Sequence, residues 1–339
     1  MTVRSTWSAA IAVALVASLA GCAAETGADG PVASGADRPP REFLFVAPSS
    51  ADPANSLPAF RGAEVALAVA VAAQGGLAAE LRWTELPADL DGWLPPAAAG
   101  AIIAPGTPPE TIARLVSLLG VPTVSLAGGP MEGAWRTLAV GDAAIAAAML
   151  AAGGDAPCLV VGADGHAFAA EIRRAAAAGT SPTRLRARDV LRVPALVADC
   201  SAILWPGAGE SGAALRRRVV GAGYGAAPFV ASERLRDGEF ESAVGGVGRG
   251  VLVVSGATDV ATLLDLRSRR FVQDYQAQVG LPPGPYSVEG WDAAALLLEM
   301  LREGWPSAFA GVGGRYGLLG RSDPPVITYR LTRAGWRLG

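Results

Sequence analysis

Residues 101–129 read AIIAPGTPPETIARLVSLLGVPTVSLAGG, which encodes a strand, a sharp turn, an amphipathic helix and a second strand in one continuous run. This is a βαβ unit. Thr107 and Glu110 have the spacing of a capping box, with Pro108 at the first helical position, where its missing N–H costs nothing. Ile112, Leu115, Val116 and Leu119 repeat with the helical period, and Gly120 stands where a left-handed residue ends a helix. That apolar stripe needs a sheet to lie on. Ala101–Ala104 and Val121–Leu126 fit short parallel strands buried on both faces. In an open α/β sheet ligands sit outside the carboxyl ends of the strands, where free helix N–H groups meet an anion. Thr107 is therefore read two ways, as a simple helix cap and as part of an anion-binding turn.

Working outward, strand and helix patterns repeat on both sides. Phe43–Ala47 is an apolar strand, Phe60–Ala73 a helix stopped by Gly75-Gly76, and Leu81–Thr84 a weaker strand. After Arg136 a second series begins: helix Ala143–Ala152, strand Cys158–Val161, helix Ala167–Ala178, strand Ala202–Trp205, helix Gly212–Ala222, and strands Pro228–Ala231 and Val251–Val254. Residues 42–339 are long enough for two full cores. The fold class read from this alternation is α/β, two doubly wound parallel-sheet lobes.

The first residues read differently. Met1–Gly21 carries one basic residue, Arg4, then an apolar core from Ala9 to Leu19, and meets Cys22 in Leu19-Ala20-Gly21-Cys22. This is the pattern of an export signal, and its apolar core is shorter than the ~20 residues a bilayer span needs. Leu-Ala-Gly-Cys resembles the lipobox of bacterial lipoproteins, in which the cysteine becomes the lipidated N-terminus. The resemblance implies a protein lipid-anchored at Cys22 on the extracytoplasmic face of the cell membrane. Ala23–Arg41 is small, polar and rich in Gly and Pro, a flexible tether. No later segment is expected to span a membrane.

Composition excludes several classes. All 28 basic residues are Arg, so there is no Walker lysine and no Schiff-base lysine. Net charge is −3, and the only run of three consecutive basic residues is Arg216–Arg218, read as a solvated helix face, so nucleic acid is not expected as a partner. No G-x-S-x-G, H-E-x-x-H, zinc-spaced Cys/His set or G-x-G-x-x-G opening a helix is present, and GGVGRG at 245–250 reads as a turn. No enzymatic activity, cofactor or metal is expected. Cys158 and Cys200 remain in an exported chain, so a disulfide is expected between neighbouring strands of the second lobe, with two buried free thiols as the alternative.

REFLFVAPSS, FRGAEVALAVAVAAQGG and the 101–129 unit, followed by PCLVVGADGHAFAAEIRRA, FVASERLRDGEFE and FVQDYQAQVGLPPGPYSVEGWDAAALLLEML, resemble in their order the type I periplasmic solute-binding proteins of the leucine/isoleucine/valine group. The resemblance covers nearly all of residues 42–339. It implies a three-segment hinge crossing near Ala139, Ser255 and Val312. Residues 42–139 and 256–311 would form the N-terminal lobe, and 140–255 and 312–339 the C-terminal lobe, after a signal peptide (1–21) and tether (22–41). It implies a monomer that captures an amino-acid-like solute between the lobes and delivers it to an ABC permease by hinge closure. A sensor that reports to a partner protein shares this fold and stays open as an alternative.

The family's ligand positions carry over unevenly. Its carboxylate-binding serine aligns with Pro108, beside Thr107, and its Ala-Thr-Thr turn with Ala127-Gly128-Gly129, which keeps backbone donors only. One of its tyrosines aligns with His166, another with Ala208. Its ammonium-binding acid aligns with Glu233. The ligand-binding set is thus Thr107, Ala127, Gly128, Gly129, His166 and Glu233. Each has a plainer reading: His166 as a helix-start residue, Glu233 as the head of a polar surface run, Tyr286 and Trp291 as core aromatics, Asp292 as a first-turn helix charge. Lost donors at Pro108 and Ala208 leave open an orphan with a degenerate site.

Mass spectrometry of the N-terminal peptide of the membrane-extracted protein checks the anchor. The expected result is a diacylated Cys22, with Cys22→Ala released to the soluble fraction. An unmodified cysteine refutes the lipobox.

Overall fold

The computed structural model describes residues 41–48, 53–74, 78–87, 89–107, 109–127, 136–138, 140, 142–163, 165–176, 181–236, 239–317, 320–321 and 326–339. Cys22, the leader, nearly all of the tether, Pro108, Gly128 and Gly129 lie outside the described residues. The chain runs β1 (Arg41–Pro48), α1 (Pro53–Gln74), β2 (Ala79–Leu86), β3 (Gly100–Ile103), α2 (Pro109–Leu119), β4 (Thr123–Ser125) and β5 (Arg136–Thr137). These strands form one parallel sheet in the order β2-β1-β3-β4-β5. Next come α3 (Asp142–Gly153), β6 (Cys158–Val161), α4 (His166–Ala176), β7 (Thr183–Arg186), α5 (Ala187–Arg192), β8 (Ile203–Trp205), α6 (Gly209–Gly221), β9 (Phe229–Ser232), α7 (Glu239–Val244) and β10 (Leu252–Ser255). Then follow α8 (Leu266–Val279), α9 (Ser287–Glu303), β11 (Ala308–Ala310), β12 (Arg315–Gly317), β13 (Gly320–Arg321), β14 (Ile327–Thr332) and β15 (Gly335–Leu338).

The second sheet has the order β15-β14-β10-β9-β8-β6-β7, and β11-β12-β13 form a small antiparallel sheet. From β7 to β10 the pairing is parallel. The last two strands, β14 and β15, are antiparallel additions at one edge of this sheet. A hairpin at Thr332–Gly335 turns the chain back on itself, and such antiparallel edges are common on large parallel sheets.

Alternation along the strands builds a core on each sheet face. Phe43, Phe45 and Ala47 pack with Ala59, Ala63, Ala293 and Leu297 on one side of β1, while Leu44 and Val46 pack with Ile112, Leu115 and Leu119 on the other. The stripe read from residues 112–119 is thus the face of α2 on the sheet, and burying Leu115 alone contributes about 2 kcal/mol. In the second sheet Val160, Ile203 and Phe229 face one core, and Leu159, Leu204 and Val230 the other. Cys158 and Cys200 are joined by a disulfide with a Cα–Cα separation of 5.5 Å. The bridge closes a 42-residue separation, a constraint on the unfolded chain of about 4 kcal/mol by loop entropy.

Some local readings change. α1 starts at Pro53, ahead of the expected Phe60, and carries Pro58 inside it, a residue that sequence rules treat as a helix stop. It has the length and apolar composition of a membrane span. Yet Ala59, Ala63, Val65 and Leu67 are buried against the protein's own core. β7 and α5 fall where no element was expected, because TRLR has the apolar content of a loop. In the Arg216–Arg218 run, read as a solvated face, Arg217 and Arg218 are exposed and Arg216 is the exception. Arg216 is buried and donates from Nε to Val247 O at 3.1 Å and from Nη1 to Ala227 O at 3.3 Å, joining α6 to the turns beside it. Arg218 Nε donates to Leu191 O at 2.9 Å.

α1 and α9 cross at two glycines. A Cβ on Gly62 would lie 1.9 Å from Ser287 O, and one on Gly290 would lie 1.9 Å from Ala59 O. Backbone meets backbone there, so no side chain can give way. Gly290→Ala is expected to lower stability by about 1 to 3 kcal/mol, the range for overpacking a core, read as a shift in the urea midpoint.

Candidate functional site

Parallel strands buried on both faces leave polar groups only at their ends, and the expected site residues stand at carboxyl ends. Thr107 follows β3; it is buried, and its hydroxyl donates to Ala104 O at 2.8 Å. The hydroxyl oxygen keeps lone pairs to accept with, but its hydrogen is tied to the turn. Ala127 follows β4, and its N–H donates to Ser125 Oγ at 3.2 Å while Ser125 Oγ donates to Ala127 O at 3.0 Å. This backbone donor therefore serves a tight turn. His166 is the first residue of α4 and is exposed. Ala208 precedes α6, and its carbonyl accepts from Trp205 Nε1 at 3.1 Å.

Glu233 opens the 3₁₀ turn Glu233–Leu235 after β9. Its Oε2 accepts from Ser255 Oγ at 3.1 Å and from the Gly256 N–H at 2.9 Å. Its Oε1 accepts from the Tyr286 hydroxyl. One carboxylate thus gathers the end of β9, the segment leaving β10 and the residue before α9. Tyr286 is the only non-glycine residue with positive φ among the described residues, at 59°. That backbone costs of order 1 kcal/mol or more and needs surrounding contacts to hold it. Burial, followed by the charge of Glu233, pushes the Tyr286 phenol well above its ordinary range. Asp142, in the first turn of α3, is pushed up to about 6 by burial and then by Glu233, against the pull of Arg234.

Two more buried acids on α9 pin loops to it. Glu289 Oε1 accepts from the Thr258 N–H at 2.7 Å and from Thr258 Oγ1 at 2.5 Å. Asp292 accepts from the N–H groups of Val312 at 2.6 Å and Gly313 at 2.8 Å, and from the Tyr316 hydroxyl at 2.8 Å. Asp292 is therefore no first-turn helix charge facing water. Its spacing on α9 gave no sign of this, because the donors come from a loop twenty residues away. Burial outweighs those three donors and raises its carboxyl to about 7. Trp291 packs edge-on to Phe271 with ring centroids 5.3 Å apart.

A cavity of about 490 Å³ opens at the carboxyl ends of β6 and β7, lined by Val161, Gly162, Ala163, His166, Arg184, Arg186, Ala187 and Arg188. His166 thus faces an arginine-rich cavity that neither Thr107 nor Glu233 lines. Among the described residues no group of three or more His, Cys, Asp and Glu stands where it could hold a metal.

No protein-family model matches the sequence, and no curated protein does. Solved structures do match. A leucine-binding protein LivK from Thermotoga maritima superposes with a TM-score of 0.68 at 16% identity, over 88% of this chain and 97% of its own. A periplasmic binding protein type 1 from Bordetella pertussis gives 0.68 at 14% identity, over 89% and 100%. The fold is that of type I periplasmic binding proteins. An ABC transporter solute-binding protein from R. palustris, solved with benzoate, matches at 0.64 and 16% identity, over 88% and 95%. Similar structures in this fold therefore include one named for leucine and one holding an aromatic acid.

Asp142 and Asp292 set the pH response. Both bind a proton more tightly folded than unfolded, from 3.8 raised to about 6 and about 7, so their contribution is present at low pH and is lost as pH rises through those values. The thermal midpoint is expected to fall between about pH 4 and pH 7, and Asp142→Asn to flatten the lower part of that slope. A midpoint that rises over this window contradicts the assignment.

Proposed function

We propose that the protein is an extracytoplasmic solute-binding lipoprotein of an ABC-type importer, capturing a small amino-acid-like or amide-like solute between its two lobes. Thr107, the Ala127–Gly129 turn, His166 and Glu233 would face the solute, and no chemistry would be done on it. The observation that carries this reading is Glu233, an acid at the carboxyl end of β9 hydrogen-bonded to Gly256 and Tyr286, where chain segments pass from one sheet to the other. A group in that position senses how the lobes sit. Ligand that engages it couples binding to hinge closure.

The lobe division belongs to the same proposal: a leader at 1–21, a tether at 22–41, one lobe from 42–139 and 256–311, the other from 140–255 and the C-terminal strands. Packing supports the first two crossings. Leu138 is buried with Phe43 and Phe45, whereas Val140 is buried with Leu159 and Val161. Ser255 ends β10, and Ala257 joins the core of Phe43. For the third crossing we favour a point after Arg321 over Val312. Val312 packs with Val65 and Phe271, and Tyr316 with the Phe43 core, because Asp292 holds that loop on α9.

Glu233's three internal donors favour a second reading, in which its carboxylate is a strut and the solute brings no ammonium. Calorimetry with leucine, isoleucine and benzoate on wild type and Glu233→Ala separates the two. If Glu233 pairs with a ligand ammonium, the variant loses about 2 to 5 kcal/mol for the amino acids and little for benzoate. Equal losses for all three, or none, assign Glu233 to the strut. An absence of binding across a broader solute screen by thermal shift removes the solute-capture reading, since ligand at 100 times its Kd raises apparent stability by about 2.7 kcal/mol.

A further inference from the structure

β7 reads Thr183-Arg184-Leu185-Arg186, and strand alternation sends Leu185 to one face and both arginines to the other. Register identifies that face. Arg184 pairs with Leu159 and Arg186 with Val161, both buried with Phe168 and Ile172 of α4. α4 begins at His166 on this side, and Arg188 follows in the first turn of α5. Arg184, Arg186, Arg188 and His166 are all among the residues that line one cavity of about 490 Å³.

We propose that Arg184, Arg186, Arg188 and His166 form a binding site for the anionic group of a small solute, a carboxylate or a phosphate. The site shares His166 with the solute reading above but none of its other described residues, since Thr107, Ala127 and Glu233 do not line it. Among the described residues no carboxylate lies within ion-pair distance of Arg184 or Arg186. Arg188 meets only Asp189, Nε to Oδ1 at 3.6 Å, in an exposed pair of the kind that holds weakly. Three like charges around one concavity repel each other, and an oxyanion turns that repulsion into attraction. Guanidinium forks match carboxylate and phosphate oxygens two at a time. The position fits as well: the cavity lies at the carboxyl ends of two parallel strands, where α/β sheets bind ligands, and the first turn of α4 adds a field of the same sign. Its volume falls within the roughly 300 to 1,000 Å³ of small-molecule sites.

The test is calorimetry of the folded protein with inorganic phosphate and with succinate at low ionic strength. Wild type is expected to bind at least one of them, and which one names the class. Arg184→Gln/Arg186→Gln is expected to weaken that binding at least tenfold with an unchanged thermal midpoint, as both side chains are exposed on an edge strand. A second measurement uses the unaltered protein: the bound anion should slow phenylglyoxal modification of Arg184 and Arg186, read by peptide mass mapping. No binding of either anion at 10 mM, affinity undiminished in the double variant, or modification rates unaffected by anion each overturn the proposal.

Discussion

A parallel strand covered on both faces can carry nothing polar along its length, and this constraint governs where chemistry is found in this molecule. β1, β3, β6, β8 and β9 are buried almost without interruption, so every hydrogen-bonding side chain that could meet a ligand is displaced to the turns beyond their carboxyl ends. Thr107, Ser125, His166, Glu233 and Ser255 all stand there or at the last strand residue. The same constraint explains why the helices are apolar on one stripe and why α1, long and apolar enough to cross a membrane, is a core element.

Charge in the interior follows a second rule: it is held by backbone N–H groups and hydroxyls, not by opposite charge. Glu233, Glu289 and Asp292 accept from Gly256, Thr258, Val312 and Gly313 N–H groups and from Ser255, Thr258, Tyr286 and Tyr316 hydroxyls. A chain without lysine has only the bulky guanidinium to offer as a cation besides its single histidine, and Arg216, the one buried arginine among the described residues, is used on carbonyls beside the second sheet. Neutral donors satisfy the carboxylates without neutralising them. Asp292 therefore keeps a raised proton affinity despite three good hydrogen bonds, and the charge of Glu233 adds to burial in raising Asp142 and Tyr286.

Glu233 and His166 stand at the same sheet edge and differ in their company. Both follow strands at the carboxyl edge, as their sequence position requires. Glu233 is met by three donors of its own chain, and His166 lines a cavity with arginines of β7 and α5. Three strands lie in the row from β6 to β9, and adjacent strands are about 4.8 Å apart, so the two residues serve different parts of one edge.

The sequence by itself determined the alternation of strands and helices, the stripe on α2, the pairing of Cys158 with Cys200 as one of two readings, and the carboxyl-end position of Thr107, His166 and Glu233. These are legible because hydrophobic period, caps and strand order act over a few residues or follow from topology. Tertiary structure alone decided the rest. β7 carries arginines where strand rules look for apolar residues, and only its place beside β6 makes it a strand. Arg216 reads as solvent-facing until the carbonyls of Gly225, Ala227 and Val247 close around it. Asp292 reads as a first-turn helix charge and Tyr286 as a core aromatic, and their hydrogen-bond partners lie 20 and 53 residues away. Burial and hydrogen-bond partners are properties of where distant segments meet, and no local pattern encodes that meeting.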